Sequence, residues 1–337
     1  MIDKKIMALS LGQIGEMVLY IGLGVLFLEL MLFLVGKLTK AKNMLTWMLL
    51  APAIVGILVL VVWPLLFEVS LAFSNMNLRT FKHPEFGILQ GLSNFARVFT
   101  KPVLKQTYFF PIFLRTILWT VVQVTAHVTI GLGLAILLNR PMFLKNIYKA
   151  ILILPWAIPD IISGLAWRGE FHYEYGVFNI LLTKLGAEPI PWKADPVWNF
   201  VAMNITNIWL GVPFMMIIAL GGLQSISKEY YEAADMDGAT SWNKFSNITL
   251  PLLKPILTPS IILGVIWTFN NFNVPYFINQ NELESSDILV TALFRSAFEY
   301  NQYGFAAAFA MVIFAILLVF SIWYIKVTGG LKGVRES

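Results

Sequence analysis

The sequence predicts an all-α, polytopic membrane protein with about seven transmembrane helices. Of its 337 residues, 58% are hydrophobic and 13% are charged, and the mean hydropathy is +0.73. A soluble domain carries about 25% charged residues, so this chain lacks much of the polar surface that water requires. Hydrophobic runs of about 20 residues, the length that crosses a bilayer, recur along the whole sequence.

The hydrophobic runs define seven candidate spans. They cover residues 17–36, 46–67, 111–138, 150–169, 197–222, 257–278 and 304–326. Each should be helical, because lipid offers no partner for open backbone groups. The first run is the weakest, since Glu29 and several glycines interrupt it. No small-residue cleavage pattern follows the basic start, which favours an uncleaved N-terminus.

Basic residues in the short linkers predict the orientation. Segments 37–42 and 139–149 and the tail after Ile325 are basic and fall on one side, which the positive-inside tendency makes cytoplasmic. The N-terminus would then lie outside. Segment 68–110 disagrees, because it is predicted to be external yet is also basic. Its cations are Arg79, Lys82, Arg97, Lys101 and Lys105.

Several function classes have no support in the sequence. There is no cysteine for a disulfide or thiolate site, and His83, His127 and His172 fit no metal-ligand spacing. No phosphate loop or nucleophile elbow is present, so neither an enzyme nor a bound cofactor or metal is expected. The net charge of +5 fits a basic membrane face better than nucleic-acid binding.

Ionisable residues inside predicted spans leave other classes open. Glu29, His127 and Asp160 are such residues, and ion-coupled transporters use groups of this kind. For His127, a hydrogen bond between helices is favoured over a proton relay. Asp160 could accept hydrogen bonds from a solute or pair with a neighbouring helix. An ion-coupled secondary transporter using Asp160 and His127, and a non-transporting membrane scaffold, are the alternatives.

A polar stretch from Glu229 to Pro255 interrupts the apolar pattern. Ser227 is a plausible N-cap for a short helix, and Gly238 permits a sharp reversal of the backbone. Thr240 or Ser241 can cap a second helix. The stretch therefore predicts a helix-turn-helix on the cytoplasmic face, although an ordinary amphipathic connector fits the physics equally well.

The spacing within this stretch carries a family resemblance. Glu232-Ala233-Ala234, Gly238, Ile248 and Leu250-Pro251 fill every fixed position of the pattern E-A-A-x3-G-x9-I-x-L-P. This resembles the EAA loop of ABC importer permeases and implies the type I ABC importer permease fold. The resemblance makes the loop a coupling helix that docks on a separate ATPase dimer, which would use ATP and Mg²⁺. The implied coupling residues are Glu232, Ala233, Ala234, Asp237 and Gly238.

Three further stretches resemble maltose-type carbohydrate permeases, specifically their MalF-like subunit. They are residues 152–167, 207–217 and 269–272. The resemblance implies a second, MalG-like permease subunit, an extracytoplasmic sugar-binding protein, and a multi-pass location in the lipid of a bacterial or archaeal cell (inner) membrane. The implied cargo is a sugar or oligosaccharide, with maltose or maltodextrin the first choice, moved by alternating access.

The predicted organisation follows from these assignments. The parts are an extra N-terminal span with a cytoplasmic linker (1–45), a first core helix with an external loop (46–110), a permease core (111–326) that includes the coupling loop 223–251, and a cytoplasmic tail (327–337).

Polar residues in two spans mark the predicted solute site, because transporter sites lie near the bilayer middle. Together with the family resemblance they predict contacts at Asn207, Leu210, Gly211, Phe214, Gly264, Trp267, Thr268, Asn271 and Asp160. Helix packing is an equal alternative for any single asparagine. Phe214, Gly264 and Thr268 stand where the family site has tyrosine, serine and asparagine. The sugar need not be maltose.

Overall fold

The computed structural model describes residues 4–39, 44–279, 283 and 286–328. These ranges form helices and contain no β-strand, which confirms the predicted all-α class. In chain order the helices are α1 (Lys4–Thr39), α2 (Met44–Ile57), α3 (Trp63–Ala72), α4 (Ile88–Thr100), α5 (Phe109–Asn139), α6 (Lys145–Ala157), α7 (Asp160–Glu170), α8 (Val177–Lys184), α9 (Pro196–Ser225), α10 (Lys228–Met236), α11 (Ser241–Lys244), α12 (Leu250–Phe269), α13 (Asn273–Asn279), α14 (Leu289–Phe294) and α15 (Tyr303–Thr328).

Within the described ranges, six helical segments are long and apolar enough to cross a membrane. They are Gly15–Leu34, Thr46–Ala72, Phe109–Asn139, Pro196–Ser225, Ser241–Asn279 and Tyr303–Val327. Each overlaps one of the predicted runs. Two of them continue through π-helical turns, Leu58–Val62 and Phe245–Thr249, which join α2 to α3 and α11 to α12.

The remaining predicted run, 150–169, is not one straight span. It is divided into α6 and α7, whose axes differ by 94°. The break has a local cause, because Pro159 disfavours helical dihedrals at the residue before it. Ile158 is accordingly extended, with φ −86° and ψ 133°. With this bent pair counted as a span, the predicted number of seven is reached.

The predicted run 257–278 is also modified. Helix α12 begins earlier, at Leu250, and ends at Phe269, and α13 starts only at Asn273. Residues 270–272 therefore form a non-helical break in this segment. Two prolines, Pro255 and Pro259, lie inside α12 without ending it.

The chain divides into two compact units, Met1–Ser70 and Leu71–Ser337. In the first unit, α1 packs against α2. In the second, α5 and α9 pack along their length and run parallel. Gln123 of α5 donates to Asn204 of α9, and further along both helices Gly131 lies close to Met215. Both helices therefore end at the side where α10 follows α9, and both begin at the opposite side.

Candidate functional site

A cavity of about 430 Å³ opens in the second unit, where the broken helices meet α9 and α12. Its volume lies within the range of about 300–1,000 Å³ that is typical of small-molecule sites. Its lining combines amide, carboxylate and aromatic side chains. The lining residues are His127, Pro155, Trp156, Ala157, Ile158, Pro159, Asp160, Asn207, Leu210, Gly211, Phe214, Met215, Gly264, Trp267, Thr268 and Asn271.

The break between α6 and α7 places Asp160 in the cavity wall. Asp160 is the first residue of α7, where the helix dipole favours a carboxylate. Its Oδ2 accepts a 2.7 Å hydrogen bond from the side-chain nitrogen of Asn273 in α13. Of the two roles expected for Asp160, the pairing with a neighbouring helix is observed. The lining position leaves its carboxylate beside the cavity as well.

Two asparagines connect α9 to the break after α12. The side-chain nitrogen of Asn271 donates a 2.9 Å hydrogen bond to Oδ1 of Asn207. The Oδ1 of Asn271 in turn accepts from the backbone N–H of Val274 at 3.1 Å, which fixes its orientation. Both asparagines therefore have a packing role, and both also line the cavity.

His127, which also lines the cavity, joins α5 to α9. Its Nε2 lies 3.0 Å from the carbonyl oxygen of Asn207 and must donate, because a carbonyl only accepts. Gly211 lies against the imidazole ring, and a Cβ at this position would overlap it. The expected hydrogen bond between helices is confirmed, and Gly211 is the residue that lets the ring fit.

Three aromatic rings form a continuous apolar wall. The ring centroids of Trp156 and Phe214 are 5.9 Å apart, and those of Phe214 and Trp267 are 5.2 Å apart. About half of each tryptophan is exposed, 52% for Trp156 and 55% for Trp267. Exposed ring faces of this kind can cover the C–H surface of a flat ligand.

The structure brings all nine predicted solute-contact residues to this one cavity, although their contact with a solute stays a prediction. Gly264 keeps part of the space open, because a Cβ there would lie 2.9 Å from the terminal methyl of Met215. Trp156 was not singled out from the sequence. The sequence signal for Trp156 is its aromatic side chain next to Pro155 in the stretch 152–167. Its place in the cavity lining depends on the bend between α6 and α7, which the sequence did not predict.

The predicted helix-turn-helix is confirmed at the far end of α9. Ser227 caps α10 by accepting from the N–H of Glu229 at 3.3 Å. Gly238 has φ +72°, the left-handed conformation that a sharp reversal requires. Of the two candidate caps for the second helix, Thr240 is the one used, and it accepts from the N–H of Asn243.

The hairpin is braced from within by contacts that the sequence did not predict. The hydroxyls of Tyr231 and Thr249 lie 2.9 Å apart, and Lys244 Nζ lies 2.6 Å from Asp235 Oδ1. These contacts hold α10 to the segment that leads into α12. No residue of α10 is buried, and Met236 is 89% exposed. The predicted coupling residues Glu232, Ala233, Ala234, Asp237 and Gly238 all lie on or beside this uncovered helix.

A buried ion pair lies between the last two spans. Arg295 Nε is 2.8 Å from Asp287 Oδ2, both side chains are 3% exposed, and Arg115 Nη1 donates to the carbonyl of Asp287. Burial raises the pKa of Asp287 to about 6, although Arg295 and Arg115 act in the opposite direction. The pair joins α5 to the segment around α14 and lies outside the cavity lining.

Across the described ranges, no cluster of three or more His, Asp or Glu side chains could hold a metal ion.

Comparison with known proteins places the chain in a family. Residues 127–326, more than half of the sequence, match the family described as "Binding-protein-dependent transport system inner membrane component". The chain belongs to this family. It is therefore a multi-pass membrane component of a transport system, and the predicted relationship to ABC importer permeases is confirmed. Membership does not favour the ion-coupled secondary transporter.

Individual relatives agree with this assignment. The galactooligosaccharides transport system permease protein of Bacillus subtilis is 32% identical over 83% of this chain and 69% of its own length. The trehalose/maltose transport system permease protein of Thermococcus litoralis is 31% identical over 87% of this chain and 97% of its own length. A solved bacterial ABC transporter involved in the import of alginate superposes with a TM-score of 0.73. That structure is 21% identical and covers 87% of this chain and 98% of its own, so it supports the fold alone.

Proposed function

We propose that this chain is the permease subunit of an ATP-driven importer that moves a sugar or oligosaccharide into the cytoplasm by alternating access. The observation that carries the proposal is the convergence of nine solute-contact residues, predicted from separate spans, on one cavity. The sugar class is supported by the relatives, whose names refer to galactooligosaccharides and to trehalose or maltose.

The proposed partners follow from the family and from the hairpin. The family description names a binding protein, which would deliver the sugar from outside a bacterial or archaeal inner membrane. The exposed helix α10 would dock on a cytoplasmic ATPase dimer, which binds ATP and Mg²⁺. A second, MalG-like permease subunit would complete the translocation path, with lipid around both. This chain itself performs no chemistry.

The geometry supports a direct mechanical connection between docking and cargo. The π-helical turn Phe245–Thr249 joins the hairpin to α12 without a loop. Gly264, Trp267 and Thr268 near the other end of α12 line the cavity. A displacement of the hairpin upon ATP binding would therefore be transmitted along one helix to the cavity wall.

The cavity wall supports recognition of a saccharide. Asn207 and Asn271 carry amide groups that both donate and accept, which suits hydroxyls. Asp160 supplies an acceptor, and the rings of Trp156 and Trp267 supply flat apolar faces. Phe214 and Gly264 remove hydroxyls relative to the maltose-type pattern. We propose a neutral sugar related to maltose or maltodextrin rather than an unaltered maltose site.

The proposal is tested by reconstitution. The permease pair, the ATPase dimer and the sugar-loaded binding protein are placed in proteoliposomes, and uptake of maltose, trehalose and galactooligosaccharides is measured with and without ATP. We expect ATP-dependent uptake of at least one sugar, which Asn207→Ala abolishes. Uptake that survives ATP depletion but collapses with a proton uncoupler would instead support an ion-coupled transporter that uses Asp160 and His127. Failure of the purified complex to bind any sugar would support a scaffold.

A further inference from the structure

A second cavity, of about 840 Å³, lies in the second unit and shares no lining residue with the coupling hairpin. It is formed where α4 and the connection after α3 meet the start of α15, on the side where α5 begins. Its lining is mostly amides, hydroxyls and two arginines. The residues are Ser74, Asn75, Met76, Asn77, Leu78, Arg79, Leu89, Gln90, Ser93, Asn94, Arg97, Tyr300, Asn301, Gln302 and Phe305. None of them belongs to the sugar cavity.

The floor of this second cavity is held by hydrogen bonds between distant segments. The side-chain nitrogen of Asn94 donates to the carbonyls of Ala72 and Ser74, at 3.0 and 2.7 Å. The N–H of Gly304 donates to the carbonyl of Met76 at 2.9 Å, and a Cβ on Gly304 would overlap the Ser74 carbonyl. The cavity is therefore preformed, which lowers the entropic cost of binding a partner.

Arg97 contributes a partly desolvated cation to the cavity. Its guanidinium lies 4.8 Å from the centroid of the Phe305 ring, and Nη2 donates to Gln302 Oε1 at 2.7 Å. Burial lowers the pKa of this guanidinium from its ordinary value. In the part of the chain that the structure describes, neither Arg97 nor Arg79 has a carboxylate within ion-pair distance. A guanidinium has five N–H donors and suits a carboxylate.

The surrounding segment is strongly basic. Residues 68–110 contain five Lys or Arg and two Glu, a net charge of +3. This is the external segment that conflicts with the positive-inside tendency. Positive charge on the outer side is disfavoured in short loops. Membrane orientation therefore does not explain these basic residues, whereas a role in binding would. Arg97 accounts for one of these charges through its contacts with Gln302 and Phe305, and Arg79 lies exposed at the same cavity.

We propose that this second cavity is a docking site for the solute-binding protein and receives one of its Asp or Glu side chains between Arg79 and Arg97. The inference rests on the proposed function, because it requires a binding protein. The carboxylate would neutralise the guanidinium of Arg97, and the basic surroundings would attract an acidic face of the binding protein. The external basic residues thus act in partner recognition rather than in membrane orientation.

The test compares two charge reversals in the same segment. Arg79→Glu changes a residue that lines the cavity, and Lys82→Glu changes an exposed residue three positions away that does not. Each assembled transporter is placed in nanodiscs, and the dissociation constant of the sugar-loaded binding protein is measured. We expect Arg79→Glu to weaken binding about tenfold or more and Lys82→Glu to change it by less than about threefold. Melting curves of the variants should match that of the wild type.

Three outcomes separate the explanations. Equal weakening by both reversals would show general electrostatic attraction, and it would overturn the cavity as a docking site. An effect of Arg79→Glu that appears only in nanodiscs containing anionic lipid would assign the cavity to lipid headgroups and would also overturn the proposal. If the wild-type complex neither binds the binding protein nor shows stimulated ATP hydrolysis, the proposed function itself fails.

A photocrosslinker at Gln90 should attach to an acidic segment of the purified binding protein.

Discussion

The amide nitrogen of Asn271 donates a 2.9 Å hydrogen bond to Oδ1 of Asn207, and both residues line the same cavity. The bond leaves the amide nitrogen of Asn207 available to a ligand, whereas both polar atoms of Asn271 have partners within the protein. Asn271 therefore orients Asn207, and the two residues should act as a unit.

Removing this pair should affect sugar binding non-additively. Asn207→Ala removes a predicted sugar contact and the acceptor of Asn271, whereas Asn271→Ala removes the donor that orients Asn207 together with its own amide at the cavity. We expect the double variant to bind little worse than Asn207→Ala, with a coupling free energy of about 0.5–3 kcal/mol. Sugar titration of the purified complex measures it. Asn204→Ala is the control, because Asn204 is on the same helix as Asn207, accepts from Gln123 of α5 and lies outside the cavity.

Trp156 should contribute to sugar affinity through its ring. Trp156→Ala removes one face of the aromatic wall beside Phe214, and stacking faces of this kind are worth about 0.5–1.5 kcal/mol beyond buried area. We expect sugar affinity to fall about two- to twelvefold, while Trp156→Phe retains most of it. Trp209→Ala, at a residue outside the cavity lining, serves as the control. Equal losses at both tryptophans would contradict a specific role for Trp156.

The turn at Gly238 should be required for coupling. A Cβ would meet no atom within 4 Å, so Gly238→Ala adds only the backbone strain of φ +72°, about 1–2 kcal/mol. We expect impaired uptake with intact sugar binding and membrane insertion, and complete loss for Gly238→Pro or Glu232→Lys. Gly186 provides a matched control, with φ +80° and equally open surroundings away from the hairpin. Normal uptake by Gly238→Pro and Glu232→Lys would exclude the coupling role.

The buried carboxylate of Asp287 should make stability depend on pH. Its pKa is raised from 3.8 to about 6, so the folded protein holds this proton more tightly than the unfolded protein. The stabilisation is fully present below pH 3.8 and is lost as pH rises through about 6. We expect the stability of the wild type relative to Asp287→Asn to fall by up to about 3 kcal/mol over this window. Melting temperatures of both proteins from pH 4 to 8 measure this difference, and a constant difference would contradict it.

The sequence predicted the features that depend on local patterns. Hydropathy located the spans, and the spacing from Glu232 to Pro251 located the hairpin with its turn at Gly238. The resemblance to a family gathered distant residues such as Asp160 and Trp267 into one proposed site. Side-chain contact with a sugar remains a prediction, because proximity alone does not establish binding.

The features that sequence missed depend on long-range geometry. Hydropathy averages over the run 150–169 and does not register that Pro159 bends it by 94°. Trp156 acquires its position only through that bend. Likewise, the charge count gave Arg97 no role, because its contacts with Gln302 and Phe305 join residues about 200 positions apart.

The two prolines inside α12 give this helix a preferred plane of bending. Pro255 and Pro259 have no N–H, so the carbonyls of Pro251 and Pro255 receive no bond from the residue four positions later. A spacing of four residues puts both gaps on nearly the same face of the helix. Helix α12 therefore bends more easily in one direction than in the others. A force applied at its hairpin end would be converted into a bend of defined direction rather than an undirected tilt.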